Sequence, residues 1–275
     1  MGAVAGIVTH TGIPTAARPQ RARSREAAMA DHIAQYDEDA AQHYLGLPLI
    51  RKYAEYPTLK NAVGSLRGKQ ALDLACGTGI YTRALLEWGA ERVVGVDAAA
   101  DMLRVAGRLT PAGAPITYEE HDVRDMPFLG AFDVVTAVFL LNYARSREQL
   151  DAMCERIVAH LKPGGRFAGS ITNSGYDPEH PHDTRYQVTY GRMPQHADGD
   201  TMSFTLYDQD RPITLETVYW TNETYRAALS EAGLVDVEVS GWQVSEEGVA
   251  EYGAEFWAPW VASPALAVVT GRLPE

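Results

Sequence analysis

From Gly68 onward the chain alternates short apolar, β-branched runs with longer stretches whose apolar residues recur at helical spacing. The runs Gln70–Ala75, Arg92–Val96, Ile116–Glu120, Phe132–Phe139 and Arg166–Ile171 read as strands. Ile80–Trp88, Ala100–Leu109 and Arg147–Leu161 read as helices between them. Such alternation predicts parallel strands joined by right-handed crossovers, a doubly wound α/β sheet. Before it, Ile33, Tyr36, Ala40, Tyr44 and Leu47 recur every three or four residues and predict an amphipathic helix from Asp31 to about Tyr56, broken near Gly46 and Pro48. Past Asn173 the order changes. Residues 174–221 are rich in Tyr, His, Pro, Asp and Gly, with alternating stretches at Tyr186–Tyr190, Met202–Tyr207 and Ile213–Tyr219 typical of antiparallel strands. A helix at Asn222–Ala232 and strands near Val235–Val239 and Ala265–Thr270 then complete the main sheet.

Composition adjusts this picture modestly. A chain of 275 residues with 46% hydrophobic positions supports one large domain plus a small insertion. Residues 1–28 carry Arg18, Arg21, Arg23 and Arg25 without any lasting period and are expected to be a disordered tail. The formal charge of -12 repels phosphate backbones and anionic lipid, so neither nucleic acid nor membrane is an expected partner. No apolar run approaches the roughly 18 residues of a membrane span, and a cytoplasmic protein is expected. Cys76 and Cys154 are too few for a disulfide framework.

The chemistry concentrates in three turns. In Ala71-Leu72-Asp73-Leu74-Ala75-Cys76-Gly77-Thr78-Gly79 a buried strand runs into a glycine turn and then a helix, which brings backbone close to a ligand at the helix's positive end. A dinucleotide site shares that plan. Here, however, Thr82 stands where a third glycine belongs, and Asp73 repels a diphosphate while welcoming an ammonium group. Eighteen residues beyond Gly79, Asp97 ends the second strand, where a carboxylate accepts the two hydroxyls of a ribose. After the third strand, Asp122 and Val123 stand where a carboxyl and a backbone amide meet an adenine; a turn-capping Asp is the plain alternative.

Together LDLACGTG at 72–79, VVGVD at 93–97, HDV at 121–123, FDVVTAVFLLNYA at 132–144 and LKPGGRF at 161–167 resemble the class I S-adenosylmethionine (SAM)-dependent methyltransferases. The resemblance implies a Rossmann-like, mostly parallel seven-stranded sheet with an N-terminal helical lid and a small antiparallel β insertion as cap. Its expected parts are a lid at 29–66, a SAM-binding core at 67–173, the cap at 174–221 and a completion of the core at 222–275. It implies that Asp73, Ala75, Gly77 and Gly79 surround the methionine part of SAM, with Cys76, Thr78, Thr82 and Phe139 on the same surface. Asp97 then holds the ribose, Asp122 and Val123 read the adenine, and Met102 packs on the adenine face.

Other features narrow the likeness to bacterial secondary-metabolite methyltransferases of the toxoflavin-synthase-like kind, which also resemble the lincosamide N-methyltransferases. These are Tyr36-Asp37, Tyr44, Tyr81-Thr82-Arg83, Leu141-Asn142-Tyr143-Ala144, Val244–Gly248 and Phe256-Trp257. The expected acceptor is then a nitrogen or carbon of a small aromatic or heterocyclic molecule, and the expected assembly a homo-oligomer. Tyr36, Tyr44, Phe139 and Tyr143 are candidates to shield and orient the reaction, and His43 to take a proton. A solvent-facing His43 and core-filling tyrosines are the plain alternatives.

Several chemistries are disfavoured. Phe139-Leu140-Leu141-Asn142-Tyr143 lacks the Pro-Pro-aromatic grip of nucleic-acid adenine methyltransferases, and the fourth strand lacks clustered magnesium ligands. His180, His182 and His196 lie in a loop without matching Cys, so no metal is expected. O-methylation with a general base, a dinucleotide-dependent oxidoreductase and a SAM-binding protein without catalysis remain as alternatives.

Overall fold

The computed structural model describes residues 48–177, 184–190, 197–208 and 211–275. At its centre β1 (Gln70–Leu74) lies between β2 (Arg92–Asp97) and β4 (Phe132–Val138), parallel to both, with Leu72 opposite Val94 and Val135. Neighbouring residues on a strand face opposite sides, and both sides here are dry. Leu72, Leu74, Val94, Val96, Val135 and Ala137 pack into one cluster, while Ala71, Val93, Val134 and Val138 pack into another. The full order is β3-β2-β1-β4-β5-β10-β9, adding β3 (Ile116–Glu120), β5 (Leu161–Thr172), β9 (Val235–Gly241) and β10 (Leu266–Arg272). Only β10 runs against its neighbours β5 and β9. This is the mostly parallel seven-stranded sheet expected from the sequence.

The helices cover both faces. α1 (Pro48–Ile50) passes through a π-helical turn, Arg51–Glu55, into α2 (Tyr56–Val63). Pro48, where the sequence predicts a break, is the first residue of α1, a position at which proline has no helical N–H bond to lose. The helix also runs seven residues past Tyr56. Pro57 lies near the start of α2, just after the π turn in which the helical register shifts, and Gly64 at φ 67° ends the run. The expected tail and the helix up to Leu47 lie outside the described residues.

α3 (Ile80–Glu87), α4 (Ala100–Leu109) and α5 (Arg147–Ala159) follow β1, β2 and β4. α5 buries Leu150, Met153, Cys154 and Ile157, the i, i+3, i+4, i+7 stripe of a helix lying on a sheet, and its N-cap Ser146 accepts from the Gln149 N–H. α6 (Asn222–Glu231) is capped in the same way by Thr221.

The insertion forms a separate sheet, β6-β7-β8, from Val188–Tyr190, Thr201–Asp208 and Arg211–Val218. It packs Val188, Leu206 and Leu215 against Trp242, Trp257 and Trp260. The last two tryptophans come from α8 (Ala254–Ala262), which with α7 (Glu246–Tyr252) is absent from the hydrophobic pattern. Apart from Glu255 the sequence AEFWAPWVA is apolar throughout, so it has little amphipathic period to read.

Candidate functional site

Because the chain winds from β1 outward to β2 and β3 on one side and from β4 to β5 on the other, the connections part between β1 and β4. A crevice opens there at the carboxyl ends of the strands. In it lies a cavity of about 470 Å³, within the usual range for small-molecule sites.

The glycine turn forms its floor. Beyond β1 the backbone enters the left-handed region at Ala75, Gly77 and Gly79, with φ of 56°, 52° and 73°. Ala75 is not glycine, so the turn carries a little strain there. The Cys76 N–H donates to the Val96 carbonyl at 2.9 Å, tying the turn to β2. A Cβ added at Gly77 meets nothing within 4 Å, so the residue leaves its space open beside the cavity that it lines. The Arg83 Nη1 steadies the turn from α3 by donating to the Thr78 carbonyl at 2.8 Å.

Asp97 stands beside this floor. Its Oδ2 accepts from the Gly77 N–H and its Oδ1 from the Ala99 N–H, both at 2.8 Å. The carboxylate is thereby fixed in direction while each oxygen keeps a second lone pair. Burial raises its pKa above the ordinary value despite these bonds. At the far end, Asp122 accepts from the backbone N–H, Nε and Nη2 of Arg124. Burial pushes the Asp122 pKa up, but the Arg124 bonds push it further down, so the group stays ionised. Val123, His121 and Met102 line the same end.

The opposite end is apolar. Phe139, which adopts φ 60° at the end of β4, and Tyr143, in the 3-10 turn Leu141–Tyr143, face Ile50, Val188, Leu206, Trp242 and Leu266. The Phe139 and Trp242 rings stand 5.9 Å apart, tilted by 48°. The three-stranded sheet thus supplies a wall of the cavity.

Of the residues singled out in the sequence, Ala75, Cys76, Gly77, Thr78, Asp97, Met102, Asp122, Val123, Phe139 and Tyr143 line the cavity. Three do not. Asp73 is 1% exposed and lies behind the wall, where its two oxygens accept from the Thr82 and Thr136 hydroxyls at 2.7 and 2.8 Å. Thr82 is turned inward by that same bond, and Gly79 lies one step beyond the lining as the N-cap of α3. Burial raises the Asp73 pKa to about 6. Through these bonds Asp73 and Thr82 tie β1 to β4 and α3.

Arg51, Glu55, Arg124, Asn142 and Trp242 line the cavity without having been singled out as site residues. Arg51 and Glu55 are spaced i, i+4 on a helix, a pattern that ordinarily reads as a solvent-facing pair. Tyr36, His43 and Tyr44, together with His180, His182 and His196, lie outside the described residues. No cluster of His, Cys, Asp and Glu suited to a metal occurs among the described residues.

Comparison with known proteins agrees with this geometry. Residues 71–165 match the methyltransferase domain family. The chain is 37% identical over 134 residues to the cypemycin N-terminal methyltransferase of a Streptomyces species, covering 47% of this chain and 53% of that protein. It is 36% identical over 112 residues to the ubiquinone biosynthesis O-methyltransferase of Chromobacterium violaceum, covering 40% of this chain and 47% of that one. The chain therefore spans about half the length of these curated relatives. In fold it resembles the SAM-dependent methyltransferase of Mesorhizobium loti, with a TM-score of 0.58 and 21% identity over 79% of this chain and 97% of that one. The glycine turn aimed into the crevice between β1 and β4 thus lies inside a matched methyltransferase domain, residues 71–165, on a fold shared with SAM-dependent methyltransferases.

Proposed function

We propose that the protein methylates a nitrogen or carbon of a small, flat, apolar acceptor. One observation carries this reading: a single cavity joins the glycine turn to a chamber walled by Phe139, Tyr143, Val188, Leu206, Trp242 and Leu266. SAM, when bound, supplies a methyl group on a sulfonium, displaced in line by the acceptor atom. The residues present suit that molecule. Asp97 keeps lone pairs for ribose hydroxyls, the ionised Asp122 and the Val123 backbone stand for the adenine, and Met102 offers an apolar surface to its ring. Ala75, Cys76, Gly77 and Thr78 bound the remaining length. The Cys76 thiol is no competing nucleophile, since burial pushes its pKa well up and keeps it protonated.

The chamber's contribution is alignment. Displacement at a methyl group needs the acceptor atom held near ~3 Å from it, and rigid apolar walls achieve this for a planar ring while excluding water. O-methylation is the second reading, favoured by the O-methyltransferase relative. It calls for a base, and burial moves the Tyr143 hydroxyl's pKa upward, the wrong direction for one.

Incubation with SAM and a panel of indoles, quinolines, anilines and catechols, followed by mass spectrometry, tests the assignment. A gain of one methylene on nitrogen or carbon is the expected outcome. Gain confined to catechol oxygens favours the second reading. No gain anywhere on a protein that binds S-adenosylhomocysteine points to binding without catalysis.

A further inference from the structure

The chamber is apolar at Phe139, Val188, Leu206 and Leu266, yet one corner of the cavity wall is polar. Three buried residues build it: Asn142 of the 3-10 turn after β4, Thr172 at the end of β5 and Thr217 of β8, all of which line the cavity. The strand register sets this corner against the chamber. Thr172 pairs with Leu266 of β10, and Asn142 directly precedes Tyr143, so each adjoins a chamber wall.

A polar group withdrawn from water is stabilised only when its donors and acceptors find partners. The main chain of Asn142 has one, because the Thr217 hydroxyl donates to its carbonyl at 2.7 Å. The side chain is served at one end only. Its Nδ2 donates to Thr172 Oγ1 at 3.4 Å, whereas its Oδ1 is buried without a hydrogen-bond partner among the described residues. With the residue only 3% exposed, that bare acceptor weighs against the fold and is relieved by a ligand that brings a donor to it. The Nδ2 bond is long and correspondingly weak. It resists little when the amide turns toward a ring in the chamber, a side-chain adjustment common on binding.

A donor of the N–H kind suits this corner better than a hydroxyl. An indole-type N–H gives its proton to Oδ1 and brings no lone pair in need of a partner, whereas a hydroxyl brings lone pairs that Phe139, Val188, Leu206 and Leu266 cannot serve.

Resting on the flat-acceptor reading above, we propose that Asn142 selects the methyl acceptor, its Oδ1 accepting a hydrogen bond from an N–H on the ring or on a ring substituent. The substrate class is then a planar ring that carries an N–H. The bond fixes which edge of the ring meets the corner and therefore which atoms stay free to face the cofactor.

Indole and benzofuran are nearly equal in shape and differ at this atom, one presenting an N–H and the other a ring oxygen. Each is titrated onto the protein saturated with S-adenosylhomocysteine, with binding followed by ligand-observed NMR. The wild type is expected to bind indole about tenfold more tightly, the effect of one buried hydrogen bond made rather than left open. Asn142→Leu, close to Asn in size, abolishes the preference by weakening indole while benzofuran stays within about threefold. Asn142→Ala does the same and serves if the leucine variant fails to fold. Asn142→Asp keeps an acceptor oxygen and retains the preference, which a purely structural role for the amide would not require. Equal affinity of the wild type for the two rings, or a preference for indole that survives Asn142→Leu or Asn142→Ala, overturns the role of Asn142 and leaves the flat-acceptor reading intact. Binding of neither ring to a protein that binds S-adenosylhomocysteine overturns that reading, and the assignment of Asn142 with it.

Discussion

Asp73 is conspicuous in the sequence and fully buried in the fold. Its position before a glycine turn marks it as a candidate ligand group, and in the fold its two oxygens accept from Thr82 of α3 and Thr136 of β4. Burial raises its pKa from 3.8 to about 6, so the folded chain binds this proton more tightly than the unfolded chain. The resulting penalty is absent below about pH 4, grows between pH 4 and 6 and is complete above that. Asp73→Asn, which keeps the shape without the charge, is thus expected to stabilise the fold at pH 7.5 by ~2 kcal/mol, with the gain shrinking toward pH 5. Urea unfolding at the two pH values measures it. A variant less stable than wild type at both means that the threonine bonds outweigh the buried charge. Asp97 and Asp122 were legible as lining residues because the first ends β2 and the second follows β3 by two residues, both at the carboxyl rim. Arg124, which pairs with Asp122, carried no such positional mark.

At the scale of elements, the parallel strands were readable because β-branched runs buried on both faces have no other common use. The boundaries moved where side-chain pattern and backbone diverge. β5 begins at Leu161, within the stretch read as the end of a helix, because Phe132 and Val134 of β4 pair with Leu161 and Arg166 across an irregular register. α8 escaped notice for the opposite reason: uniform apolarity hides a helix. Trp257 on it is 1% exposed, stacks on Tyr186 at 5.6 Å and donates its indole N–H to the Gly248 carbonyl. Removing so large a ring from the seam between the main sheet and the insertion leaves a cavity that neighbours cannot refill. Trp257→Ala is expected to cost ~4 kcal/mol, read as a fall in the urea midpoint with an unchanged slope. A cost below ~1 kcal/mol would mean that the two parts are held together elsewhere.

On the scale of the whole molecule, the sheet's outward winding from β1 and β4 creates the crevice, and the cavity inherits two characters from its two sides. Toward β2 and β3 it presents fixed polar groups at Asp97 and Asp122; toward β5, β10 and the inserted sheet it presents aromatic and aliphatic walls. The first half was legible from local motifs, since each polar group sits on its own strand end. The second was not, because Val188, Leu206 and Trp242 come together only through tertiary packing, and in the sequence each is an ordinary core residue. Whether this crevice holds an adenosyl amino acid is read most directly from thermal unfolding with S-adenosylhomocysteine. A ligand bound only by the folded state, at about 100 times its Kd, adds ~2.7 kcal/mol and raises the midpoint of a chain this size by about 5 °C or more. That rise, with none from NADH at the same concentration, is the predicted result. An unmoved midpoint with S-adenosylhomocysteine, or a rise with NADH alone, would contradict the account.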